Sequence, residues 1–168
     1  NGVTQRRWLA ACNPGLATAI TAKIGDGWTT DLEQLRGLEA YVDDKAFQEE
    51  WRAIKLANKE RLARDVGPQT GLTLPTNMLF DVQVERIPEY KRQLLNLLHA
   101  VHLYDRIRRG DGDGIVPRAI IIGGKAAPGY EMAKNIIKAI NNVARMINTD
   151  PAMDGKLKLI FYPDYNVS

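Results

Sequence analysis

Between residues 86 and 93 the chain reads Arg-Ile-Pro-Glu-Tyr-Lys-Arg-Gln, which places Arg86, Lys91 and Arg92 within one short stretch. The stretch follows an alternating run, Leu79 to Val84, and opens an amphipathic helix expected from Pro88 to about Arg109. A helix N-terminus offers unpaired N–H groups and the positive end of the macrodipole, and flanking Arg and Lys add full charges, so the pattern outlines an anion site suited to phosphate. The plainer alternative is that Lys91 and Arg92 solvate an exposed face.

Other patterns carry less. Gly124 to Gly129 has the glycine spacing of a phosphate loop, but Tyr130 and Glu131 stand where Lys and Ser or Thr would follow, so a nucleotide P-loop is rejected. The paired Gly123 and Gly124 mark either a close backbone approach near a ligand or a tight strand-to-helix turn. Asp111 and Asp113 before Gly114 lack the glutamate that closes a calcium loop. Arg109-Gly110-Asp111 and the Asn166-Val167-Ser168 sequon are spellings without context. His99 and His102 share a leucine-rich helix with no convergent ligands, so they read as structural and no metal site is assigned.

Composition bounds the class. In 168 residues, 45% are hydrophobic and 26% charged, the values of a globular chain long enough to bury a core. The net charge is only +3 with acids interleaved among bases, which argues against a nucleic-acid or membrane surface. Cys12 stands alone, so no internal disulfide forms and a reducing cytoplasm is expected. No apolar run approaches the about 18 residues of a membrane span, and no signal peptide opens the chain. An opening Asn1 and a last residue just past a strand suggest a piece of something longer.

The elements that must position the cationic stretch follow from local signals. Asn13 before Pro14 is a helix start and Gly25 a stop, with Leu16, Ile20 and Ile24 on one face. Thr30 and Glu33 have capping-box spacing, and Leu32, Leu35 and Leu38 continue a second helix. A third, from about Asp43 to Val66, aligns Phe47, Trp51, Ile54 and Leu62. Gly67 to Asn77 reads as a connection, dividing a helical part (1–76) from an α/β part (77–168).

In the α/β part, Phe80, Val82 and Val84 alternate with Asp81, Gln83 and Glu85, so the strand has a second face that must meet polar groups. Leu94, Leu95, Leu98, Val101 and Ile107 give the next helix its apolar spacing. Ala119 to Ile122 is a strand covered on both faces, about Tyr130 to Ile147 a helix, and Lys156 to Tyr162 a final strand. Strand, helix, strand, helix, strand is the order of a parallel sheet with right-handed crossovers, whose ligands lie beyond the carboxyl ends of the strands. Glu85 to Lys91, Gly123 to Tyr130 and Tyr162 to Ser168 therefore converge.

Several segments together resemble the α-glucan phosphorylases, the family of glycogen, starch and maltodextrin phosphorylase. They are Asn-Gly-Val-Thr-Gln-Arg-Arg-Trp at 1 to 8, Cys-Asn-Pro-Gly-Leu at 12 to 16, Leu-Phe-Asp-Val-Gln-Val at 79 to 84 and Glu-Tyr-Lys-Arg-Gln-Leu-Leu-Asn at 89 to 96. Gly-Gly-Lys-Ala-Ala-Pro-Gly-Tyr at 123 to 130 and Asp-Tyr-Asn-Val-Ser at 164 to 168 complete the collinear set. The resemblance implies half of one lobe of a two-lobed glycosyltransferase-type fold: an α/β chain with a helical N-terminal segment followed by part of a Rossmann-like parallel sheet.

The resemblance also implies an activity, the phosphorolysis of α-1,4-glucans to glucose 1-phosphate with pyridoxal phosphate as cofactor. Arg86 and Lys91 match the pair that holds the substrate and cofactor phosphates. Asn1 and Tyr90 match sugar contacts, and Trp8, Tyr165, Asn166 and Val167 match the surroundings of the cofactor. The Schiff-base lysine of a Ser-Gly-Thr-Gly-Asn-Met-Lys segment is not among these residues, so the isolated chain is expected to be inactive. Exposed apolar faces would favour self-association.

Two departures stand out. Pro88 replaces the family's usual histidine, which a helix's first turn tolerates. Glu85 stands where the family has lysine: pointing into the site it turns attraction into repulsion and phosphate affinity falls strongly, and otherwise it turns away or pairs with Arg86, leaving a weaker site. A reading of another class is a stand-alone module that binds a sugar phosphate or a partner protein without catalysis.

Overall fold

The computed structural model describes residues 4–165 and divides the chain into two compact units, Asn1–Arg61 and Leu62–Ser168. In the first unit the expected caps form. Helix α1 (Gln5–Cys12) follows Thr4, whose hydroxyl accepts from the Arg7 N–H, and α2 (Pro14–Ile24) follows Asn13, whose side chain accepts from the Leu16 N–H at 3.3 Å. Gly25, at φ 79°, ends α2 as a glycine can and donates its N–H to Thr21 O.

The second predicted helix is instead a 3-10 segment over Leu32–Tyr41. Its cap is Asp31, which accepts from the Glu33 N–H at 3.2 Å. The Thr30 hydroxyl donates to Gly27 O at 3.1 Å, so the expected capping box is not made. Helix α3 (Lys45–Thr70) begins after Asp44, whose carboxylate accepts from the Phe47 N–H at 3.1 Å and pairs with Lys23 at 3.1 Å. Ile20, Trp28 and Phe47 are buried, and the Phe47 ring meets Tyr41 and Trp51 edge-on.

The second unit contains the last turns of α3 and a parallel sheet of order β1-β2-β3, formed by β1 (Leu79–Val84), β2 (Arg118–Gly124) and β3 (Leu157–Pro163). The strands alternate with α4 (Gln93–Arg108) and α5 (Glu131–Thr149), so the fold is α/β as expected. Ile120 and Ile122 of β2 pack with Leu97 and Leu103 of α4 and with Ile136, Ile140 and Ile147 of α5. Their neighbours Ala119 and Ile121 face the opposite layer, with Leu62 and Val66 of α3 and with Leu74. The apolar run of β2 is thus covered on both faces.

The α4 region departs from expectation in two ways. Pro88 is extended, Glu89–Lys91 forms a 3-10 turn, and Arg92 takes the left-handed conformation at φ 62°, so α4 starts at Gln93 rather than Pro88. Its inward face is Gln93, Leu97, Ala100, Leu103 and Ile107, whereas Leu94, Leu95 and Leu98 are 47, 59 and 58% exposed. Leucine occurs on both sides of this helix, and the small Ala100 permits the close approach.

Candidate anion-binding site

The strands end together, because Val84 pairs in register with Gly123 and Gly123 with Tyr162. Beyond that carboxyl edge the β1 ladder continues for one more bond, Glu85 N–H to Gly123 O at 3.0 Å. Ile87, 1% exposed, then plunges into the core and anchors the loop. The glycine pair after β2 is explained here. A β-carbon at 124 would collide with Glu85 O and with the Ile87 side chain, and one at 123 would stand 2.8 Å from the Val84 side chain. The close approach is to the chain's own backbone.

Side-chain amides fix this loop from below. Gln83, on the polar face of β1, donates from Nε2 to Lys91 O at 3.0 Å and accepts from Asn96 Nδ2 at 3.1 Å. Gln93, 1% exposed, donates from Nε2 to Arg86 O at 3.0 Å. Both cationic residues therefore have their carbonyls held by an amide. From the side, the Tyr130 hydroxyl donates to Glu89 Oε2 at 2.8 Å and accepts from the Glu89 N–H at 3.3 Å. That hydrogen bond to the carboxylate raises the pKa of the phenol. The loops after β1 and β2 are so clasped together.

Within this frame Lys91 Nζ lies 2.8 Å from Glu85 Oε2, with both side chains about one-third exposed. Glu85 thus pairs with Lys91, not with Arg86. The hydrogen bond and then the charge of Glu85 raise the pKa of Lys91, so its side chain stays an ammonium at neutral pH. Arg86 is exposed and has no ion-pair partner among the described residues. No side chain caps the first turn of α4, leaving its dipole unopposed there. Ion pairs this exposed are weak, so an oxyanion bearing more charge than a carboxylate can compete for Lys91.

Of the other expected residues, Tyr90 is 75% exposed, with the Lys91 ammonium 5.7 Å from its ring centre. Trp8 lies on α1 in the first unit, 43% exposed, and Tyr165 is half-buried after β3. Asn1, Asn166 and Val167 lie outside the described residues. His99 and His102 are exposed on α4, and no group of His, Cys, Asp and Glu among the described residues can hold a metal ion. The sequence reading missed Gln93, Asn96 and the Tyr130–Glu89 clasp. Only the polar alternation of β1 hinted at the role of Gln83.

Sheet, clasped loops and exposed cations define an α/β protein with a cationic loop at the carboxyl edge of a parallel sheet. The chain belongs to the carbohydrate phosphorylase family, whose model matches residues 1–168. It is 50% identical over 167 residues to a glycogen phosphorylase of Synechocystis sp., covering 99% of this chain and 20% of that protein. It is 51% identical over 168 residues to the muscle form of mouse (Mus musculus) and 48% identical to the glycogen phosphorylase of Chlamydia trachomatis, each covering all of this chain and 20% of the relative. The chain spans about a fifth of the length of the curated relatives it matches.

Proposed function

We propose that this chain is a segment of an α-glucan phosphorylase, which uses inorganic phosphate to release glucose 1-phosphate from α-1,4-glucans, and that it supplies part of the phosphate shell. The observation that carries this reading is the placement of Lys91 and Arg86, carbonyls held by Gln83 and Gln93, on the loop at the carboxyl edge of the sheet. Arg86 and Lys91 act as electrostatic clamps on phosphate, Tyr90 lies beside the sugar, and Asn1 contacts the glucosyl unit.

The donor set fits a phosphate group: one ammonium, one guanidinium and an uncapped helix start. By the family resemblance Lys91 would hold the phosphate of pyridoxal phosphate, and Trp8, Tyr165, Asn166 and Val167 match residues of the cofactor's surroundings. When bound, the cofactor's phosphate supplies proton exchange with the substrate phosphate. Lys91 and Arg86 position the two anions and offset their mutual repulsion. No described helix is long and apolar enough to cross a membrane. The lone Cys12, with no cysteine partner in this sequence, supports a reducing cytoplasm.

The test is glucose 1-phosphate release by the complete polypeptide, given phosphate, pyridoxal phosphate and maltoheptaose. Turnover that falls at least about a hundredfold in Lys91→Met supports the reading. Unchanged turnover in both Lys91→Met and Arg86→Met removes it.

A further inference from the structure

The clamp is already occupied by the chain's own carboxylate. Lys91 Nζ sits 2.8 Å from Glu85 Oε2, and Glu85 has no other side-chain partner among the described residues. The second nearby carboxylate, Glu89, is engaged by the Tyr130 hydroxyl at 2.8 Å. The Glu85 N–H is bonded to Gly123 O, and the Gly124 backbone passes directly under Glu85 O, so this residue cannot withdraw from the site by moving its backbone. An anion reaching Lys91 therefore arrives beside Glu85.

Resting on the phosphate-site reading above, we propose that Glu85 is a specificity-determining residue that restricts Lys91 to oxyanions carrying a proton. An ionised carboxylate only accepts hydrogen bonds. A fully ionised oxyanion such as sulfate sets acceptor against acceptor and charge against charge at this position, and must displace Glu85 without replacing its contact. Monohydrogen phosphate, arsenate or a phosphate monoester in its singly protonated form instead donates its O–H to Glu85 while its other oxygens meet Lys91. The repulsive contact becomes a charge-assisted hydrogen bond. The ligand class is a protonated tetrahedral oxyanion, and the pair reads its proton.

The experiment is calorimetric titration of the complete polypeptide with inorganic phosphate, arsenate and sulfate near neutral pH at constant ionic strength. Wild type, Glu85→Gln, Glu85→Ala and Lys91→Met are compared, with thermal melting as the check on folding. Phosphate and arsenate should bind wild type at least about tenfold more tightly than sulfate. Either Glu85 variant should bring the ratio close to one by improving sulfate binding, and Lys91→Met should weaken all three anions. Equal phosphate and sulfate affinity in wild type, or an unchanged ratio in both Glu85 variants, overturns the selectivity while the Lys91 effect leaves the anion site standing. No binding of any anion to wild type overturns both.

Discussion

Gly124 runs beneath the carbonyl oxygen of Glu85 so closely that no β-carbon fits between them, and a β-carbon there would also stand only 2.9 Å from the Ile87 side chain. The position of the Glu85–Lys91 pair is therefore set from the neighbouring strand. Gly124→Ala should push the β1 loop away and destabilise the fold by about 1–3 kcal/mol, the usual range for overpacking. Chemical denaturation checks the stability. A weakened phosphate affinity, measured by calorimetry, checks the displaced loop.

Gln93 is a buried polar residue whose Nε2 serves Arg86 O and whose Oε1 meets no donor among the described residues. Gln93→Met keeps the volume and removes one hydrogen bond, so stability should fall by about 1 kcal/mol or less. Faster amide exchange over residues 86–92, with the rest of α4 unchanged, would show that the amide fixes the loop rather than the helix.

Asp150 gives the acid side its sign. Its pKa is lowered by the Ala152 N–H, the Tyr104 hydroxyl and the Arg108 charge. A folded-state pKa below the unfolded value stabilises the protein fully above about pH 4 and loses that contribution as pH falls through the folded value. Asp150→Asn should therefore be less stable than wild type at neutral pH and show a flatter decline below about pH 4. Thermal melts across that window test it.

Leu95 and Leu98 stand on the outer face of α4. Replacing both with Glu should leave stability within about 0.5 kcal/mol per site. If these leucines drive self-association of the chain, sedimentation should show the double variant shifting toward monomer at equal concentration.

The sheet was legible in the sequence because its signals are local and redundant. Asn13 with Pro14 marked a helix start, and the continuous apolar run Ala119 to Ile122 suited a strand covered on both faces. The beginning of α4 was not legible, since a left-handed arginine at 92 carries no mark of its own; glycine or asparagine usually announces that conformation. The inward face of α4 was misread because leucines on both sides satisfy helical spacing, while buried Gln93 and Ala100 contribute nothing to an apolar count. Charge and placement marked the stretch holding Arg86, Lys91 and Arg92, and the family resemblance singled out Arg86 and Lys91 within it. That Lys91 meets Glu85 depends on the tight turn between them, which sequence spacing does not encode.

Arg92 holds a conformation that costs an ordinary residue about 1–2 kcal/mol, at the joint between a 3-10 turn and a straight helix. Gln83 holds the carbonyl of Lys91 just before this joint, and the side chain of Gln93 just after it reaches back to the carbonyl of Arg86, so both amides pin the turn that leads into it. Glycine at 92 would take the same left-handed turn without that cost, so the direction in which the chain enters α4 is bought with backbone energy that the amide contacts on Lys91 and Arg86 help to offset.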